Sequence, residues 1–307
     1  MNEPVFEAID ARCLLDKYGR YLTEVHGLAA NTQVKYLFIA GKMLNKLAGN
    51  GRVEKAIFTT EAIGKFLYDD IAVRSGQGAA STLSATRNFL RFLVAENKIS
   101  ADLVAAVPRV RTTTQGNLPE RLSEIQLNKV VASTADGTAA EKRNRGVLLL
   151  LVRLGLRAQE VAALSLDDVD WTNSSILIRA SKTCLERELP LMTDVAEAIL
   201  RYLQHGRPEA THRKIFAQTK PPFKPLSGSA VSKIAIVLLN KSGIQCRSKG
   251  AHVFRHSVAS RLVNSGSHYK DVADILGHQS LKTTAIYAKL DVLTLAKIAL
   301  PWPGGER

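Results

Sequence analysis

Six polar side chains between residues 157 and 287 have the types that cleavage of a phosphodiester demands: Arg157, Lys182, His252, Arg255, His278 and Tyr287. Attack on such a bond builds a five-coordinate phosphorus whose non-bridging oxygens gain negative charge, so catalysis depends on fixed donors around them. Arg157 and Arg255 suit that clamp, because a guanidinium stays charged and its planar fork grips two oxygens at once. His278 would be a third donor. Lys182 would protonate the leaving 5′-oxygen as general acid, and Tyr287 would be the nucleophile, with His252 accepting its proton or holding the phosphate. The product would be a 3′-phosphotyrosyl ester and a free 5′-hydroxyl. Since that ester conserves the bond energy, rejoining would need no ATP, no metal and no other cofactor.

Such residues act together only if the chain holds them together. His252 and Arg255 stand at i and i+3 in Ala251-His252-Val253-Phe254-Arg255, so a helix projects both from one face. Gly155-Leu156-Arg157-Ala158-Gln159-Glu160 opens a helical run. Lys182 falls in a turn, Ser181–Leu185, between strands expected at Ser175–Arg179 and Arg187–Leu191. Upstream, apolar periodicity predicts four helices between Ala11 and Asn97, the third over Thr60–Val73 and the fourth over Ser81–Glu96. The basic, Thr-rich and Pro-bounded segment 108–119 breaks all periodicity and reads as an interdomain linker. Beyond it, Arg143–Leu154 is an apolar helix, and the chain from Thr193 onward is expected to be helical apart from a short loop at Lys220–Pro225. The expected architecture is mainly α with a small β-sheet, in two domains over 1–107 and 120–307.

Composition limits the partners. The 307 residues carry 42 Lys+Arg against 28 Asp+Glu, a formal charge of +14 that points to a polyanion. Between 201 and 261 twelve basic side chains face the single acid Glu209, so contact with double-stranded DNA is expected to be densest in the C-terminal half. In the N-terminal half, Lys35, Lys42 and Lys46 share a helix face, and Arg87 and Arg91 form an i, i+4 pair; either stripe could line a phosphate backbone or be an ordinary solvated face. No apolar run approaches a membrane span, and the start is not a signal peptide, which predicts a cytoplasmic, nucleoid-associated protein without a membrane partner. Cys13, Cys184 and Cys246 are widely spaced, with no C-x-x-C pair, and read as reduced thiols rather than disulfides or a zinc site.

In order and local context the six residues resemble the tyrosine recombinase/integrase family over essentially the whole chain. Taken singly each has a plainer reading: an ion-paired arginine, a packed histidine or tyrosine, an exposed turn lysine. Unrelated structural causes would not place all six in one family's pattern. The resemblance implies a helical core-binding domain at the N-terminus, a catalytic domain at the C-terminus, and the roles given above for Arg157, Lys182, His252, Arg255, His278 and Tyr287. It makes Glu160 the acidic residue that orients an active-site histidine or arginine. Here Ala180-Ser181-Lys182-Thr183-Cys184 departs from the glycines that often flank the family's lysine, while the Arg-x-x-Pro-Leu pattern five residues on keeps the register. The apolar tail Asp291–Leu300 is expected to dock on a neighbouring protomer, four copies joining two DNA sites, alone or beside a partner recombinase. The chain resembles the two-domain, Xer-like or mobile-element type. Two other readings share parts of the pattern: a type IB topoisomerase-like enzyme that relaxes DNA, and a DNA-binding accessory protein with an idle site.

Overall fold

The computed structural model describes residues 9–28, 30–49, 52–73, 76–108, 120–180, 185–246 and 250–277. The chain divides into two compact units, Met1–Gln115 and Gly116–Arg307. Apart from Pro108, the expected linker lies outside the described residues, as do Lys182, Cys184, His278, Tyr287 and the tail.

The first unit holds α1 (Ala11–Glu24), α2 (Ala30–Ala48), α3 (Thr60–Ala72), α4 (Gly76–Ala95) and the short α5 (Asp102–Ala105), with β1 (Ile9–Asp10) paired antiparallel to β2 (Arg52–Val53). Local chemistry starts α1 and α3: Asp10 accepts from the amides of Arg12 and Cys13, and Thr59 from that of Ala62. The buried stripe Leu14, Tyr18 and Leu22 of α1 then packs on Phe89 and Phe92 of α4, where Tyr18 meets Phe89 edge-on at 4.9 Å. Helix α4 begins five residues before the expected Ser81. Its first turn, Gly76-Gln77-Gly78-Ala79-Ala80, carries no large apolar residue and so no periodic signal; the strong amphipathic segment behind it propagates the helix backwards.

The second unit is built around α7 (Ala139–Leu154), with α6 (Glu124–Ala132), α8 (Ala158–Ala163), α9 (Thr193–His205), α10 (Gly228–Lys241), α11 (Ala251–Asn264) and α12 (Tyr269–Leu276) about it. Thr138 and Glu141 form a capping box at the start of α7, and Gly146 through Val152 are buried on every side, which makes this helix the centre of the core. A three-stranded antiparallel meander, β3 (Val169–Asp170), β4 (Ser175–Ile178) and β5 (Arg187–Pro190), closes one side, in the register Ile176↔Leu189 and Ile178↔Arg187. Both strands expected in the sequence are present, each one residue shorter.

One expectation fails. Helix α9 stops at His205, and 206–227 is irregular rather than helical up to Lys220. Gly206, Pro208, Pro221, Pro222 and Pro225 deny the segment helical continuity. Its apolar residues Ile215, Phe216 and Ala217 instead run extended into the core, with the amide of Ile215 donating to Leu164 O at 2.9 Å. Among the described residues, no helix is long and apolar enough to cross a membrane.

Helix α7 ends on Gly155, whose φ of 62° lies in the left-handed region. A Cβ there would come within 3.1 Å of both Leu276 and Val258, so α12 and α11 close on this point only because it is bare. Gly155→Ala is therefore expected to cost about 2 kcal/mol from the backbone conformation alone, before any repacking. A thermal melt would show it as a fall of several degrees; a melt unchanged from wild type would contradict this reading of the turn.

Candidate active site

Two residues past that turn, Arg157 sits at the N-terminus of α8 with extended backbone. Glu160, three residues on, reaches back: Oε2 accepts the Arg157 amide at 2.8 Å, while Oε1 accepts from Arg157 Nη1 at 2.8 Å. One carboxylate thus fixes both the backbone and the side chain of the first arginine. The other Arg157 bonds run to the end of α12, from Nη1 to Leu276 O at 3.4 Å and from Nη2 to Gly277 O at 3.1 Å.

Arg255 enters from α11 and is 4% exposed. Its Nη1 donates to Gly155 O at 2.9 Å and lies 4.0 Å from Glu160 Oε2, and its Nη2 donates to Leu276 O. Arg157, Glu160 and Arg255, predicted from positions up to 98 residues apart in the chain, are therefore brought to one place. His252 lies one turn before Arg255 on the same helix, with its surface exposed, and its ring centroid is 6.4 Å from that of His256.

Arg187, noted in the sequence only as a register mark, belongs to the same cluster. Its side chain is 8% exposed; Nη2 donates to Glu160 Oε2 at 3.0 Å and Nε to Ile275 O at 2.7 Å. A signal was present. Leu189 faces the core, so strand alternation turns Arg187 to the same face, where a buried cation needs an acidic partner.

Three guanidiniums thus meet one carboxylate and the C-terminal carbonyls of α12, groups that a helix leaves without partners of its own and that carry the negative end of its dipole. Burial alone would raise the Glu160 carboxyl; the charge of Arg187, the Arg157 amide and the two guanidinium bonds outweigh it and bring the pKa from 4.5 down to about 2. The histidines move the other way. Lost hydration, then the charges of Arg255 and Arg157, push the His252 imidazole below its ordinary range, and lost hydration with His252 and Arg255 brings His256 to about 4. Both rings are neutral at pH 7, and a neutral imidazole has a nitrogen able to accept a proton.

A cavity of about 310 Å³ opens beside Arg157, lined also by Gln159, Glu160, Asp168, Arg179 and Lys214. Among the described residues, no three His, Cys, Asp or Glu side chains gather as a metal site would require.

In the first unit the basic stripes divide. Lys42 and Lys46 are paired with Asp70 and Asp69. Arg87 is half-buried and donates to the carbonyls of Val107 and Pro108, tying down the end of the unit. Lys35 and Arg91 are exposed, and Lys35 borders a shallow groove with Asn31, Thr32, Tyr36, Ser81 and Ser84.

The second unit is thus a mainly helical domain with a small meander that brings inward arginines, their shared acid and a neighbouring histidine together. Comparison with known proteins places it. The phage integrase family matches residues 120–293. The protein y4rA of Sinorhizobium fredii (strain NBRC 101917 / NGR234), named as an integrase/recombinase, is 33% identical over 288 residues, covering 94% of this chain and 70% of that protein. Tyrosine recombinase XerD of Mycobacterium tuberculosis (strain ATCC 25618 / H37Rv) is 29% identical over 313 residues, covering 95% and 96%. A crystal structure of a lambda integrase (75–356) dimer bound to a COC′ core site superposes with a TM-score of 0.70 over 98% of this chain and 99% of that one; at 20% identity the likeness is one of fold. The chain belongs to the phage integrase family, the tyrosine recombinases.

Proposed function

We propose that this protein is a site-specific tyrosine recombinase that cleaves and rejoins DNA strands through a 3′-phosphotyrosyl intermediate on Tyr287, for integration, excision or resolution of DNA. The observation that carries the reading is the convergence of Arg157 and Arg255 on Glu160, within a chain of that family. In this mechanism the two guanidiniums bind the non-bridging oxygens of the scissile phosphate, with His278 as a further donor. Tyr287 attacks phosphorus, its phenolic proton passing to neutral His252, and Lys182 protonates the departing 5′-oxygen. The P–O5′ bond breaks as the P–O(Tyr) bond forms. Attack by a 5′-hydroxyl of the partner strand reverses the step, so neither metal nor ATP is consumed.

Lys35 and Arg91 are proposed to touch the DNA backbone. Lys42, Lys46 and Arg87 would reach it only by giving up the partners they hold. A homo-tetramer on two DNA sites is the proposed working assembly, with a partner recombinase as a variation; the dimer form of the lambda integrase complex supports assembly on DNA.

The test is a nicked duplex drawn from the gene's own neighbourhood, incubated with the protein in EDTA. The expected result is a denaturation-resistant protein–DNA adduct whose tryptic DNA-linked peptide is Thr283–Lys289. Tight binding without any adduct would favour an accessory role. Adducts that relax supercoils and never yield exchanged strands would favour a topoisomerase.

A further inference from the structure

We propose that Arg187 is a positioning residue for strand cleavage: it holds the Glu160 carboxylate and the end of α12 together, and through them the phosphate-facing forks of Arg157 and Arg255 and the backbone leading into His278. This rests on the function proposed above.

The geometry begins at the inward end of β5, where Arg187 stands opposite Ile178 and is shielded from solvent. Burying a guanidinium is costly unless every partner is well placed, so its presence there calls for a use beyond filling space. Two of its bonds go to two different elements, Glu160 on α8 and Ile275 O on α12.

The first bond settles a competition. A carboxylate beside two arginines is a rival of the phosphate, because it fits the same forks. Glu160 Oε2 already accepts the Arg157 amide and the Arg187 side chain, and stays 4.0 Å from Arg255 Nη1. Held by Arg187, the carboxylate cannot swing fully onto Arg255. Without Arg187, only the two Arg157 bonds hold the carboxylate back from Arg255 Nη1, a donor meant for a phosphate oxygen.

The second bond sets the approach to His278. Ile275 O goes to Arg187, Leu276 O to Arg157 and Arg255, and Gly277 O to Arg157, so consecutive carbonyls are pinned immediately before that histidine. Gly277 has φ of 63°, and this left-handed turn takes the chain out of α12 from an end fixed on β5. A shift of about 1 Å in such a donor is enough to cost roughly a hundredfold in rate.

The electrostatics are consistent. Among the described residues, the charged groups facing Glu160 are Arg157 at the head of its own helix, Arg187 from β5 and Arg255 from α11, with Asp168, Arg179 and Lys214 farther along the cavity wall. Of these, the Arg187 charge does most to offset the burial of the carboxylate. Removing it raises the Glu160 pKa, and a protonated Glu160 no longer orients Arg157.

The experiment compares wild type, Arg187→Met, Arg187→Lys and Tyr287→Phe in single-turnover cleavage of a nicked duplex at saturating protein, from about pH 5 to 8, with duplex affinity and melting temperature measured alongside. Cleavage by wild type and not by Tyr287→Phe establishes the underlying reaction; without it, the proposed function fails and not merely this inference. Given that, Arg187→Met is expected to cleave roughly a hundredfold more slowly while binding the duplex as wild type does, with an acid limb entering the range that wild type, whose Glu160 titrates well below it, does not owe to this carboxylate. Arg187→Lys is expected to restore the wild-type acid limb, because the charge returns, and only part of the rate, because an ammonium cannot span both partners. Wild-type rates in both variants would overturn the proposal. So would equal slowing in both with an unshifted pH profile, the mark of a residue that only supports the fold. Should Arg187→Met fail to fold, Arg187→Gln, which also lacks the charge, takes its place in the comparison with Arg187→Lys, and the same outcomes decide.

Discussion

Tyr287→Phe is expected to eliminate the covalent adduct, a loss of roughly 10^6-fold on the scale seen when a covalent nucleophile is removed from an enzyme. The substitution deletes one oxygen and leaves the ring. Phosphate binding in the proposed mechanism belongs to Arg157 and Arg255, which are organised by Glu160 and the end of α12, so duplex affinity is expected to stay at the wild-type level. That separation of binding from chemistry is what denaturing gels and equilibrium binding on the same preparations would measure. An adduct persisting in the variant, or mapping to another residue such as the exposed Tyr269, would remove Tyr287 from its assigned role.

Glu160→Gln comes second, and its effect falls on stability as well as on cleavage. Glutamine keeps the shape and can still accept hydrogen bonds, but it leaves Arg157, Arg187 and Arg255 around a neutral group in a buried place. Breaking a buried pair from one side costs about 3–5 kcal/mol. The depressed pKa gives a similar figure, about 3 kcal/mol from the difference between 4.5 and about 2. For a unit of this size the melting temperature should fall by roughly 10 °C. The sign with pH is also fixed. Because the folded-state pKa is lowered, the carboxylate's contribution is fully present above 4.5 and disappears as pH falls toward about 2. Wild type should therefore lose this increment on acidification, while Glu160→Gln, lacking it from the start, should not. Two melting curves that stay equally far apart down to pH 3 would show that charge is not what Glu160 supplies.

Much of this cluster was legible in the chain because its parts carry strong local signals. Arg255 announces itself by helical spacing from His252, and Arg157 by its place at the opening of a helical run with an acid three residues after it. The strand pair showed through its β-branched and aliphatic runs. What escaped reading depends on tertiary context. Arg187 shows in the sequence only as a register mark, because the acid it meets is 27 positions away and joins it only when β5 packs near α8. Lys42 and Lys46 share a helix face as expected, yet α3 brings Asp70 and Asp69 against them, which periodicity within one helix cannot reveal. Ile215-Phe216-Ala217 has no pattern that separates a buried extended plug from a helical turn; the surrounding prolines were the better guide.

The bonds that gather Arg157 and Arg187 to the end of α12 join residues 119, 120 and 88 positions apart. A ribosome makes the chain from its N-terminus, so both arginines are synthesised long before the carbonyls that fix them. Contacts of such separation form late, after the loops between them have closed. Fragments released before residue 275 carry the arginines without the scaffold that aims them. A half-made chain therefore carries the arginines with no assembled cluster, and in the proposed function cleavage waits until the last part of the polypeptide has been made.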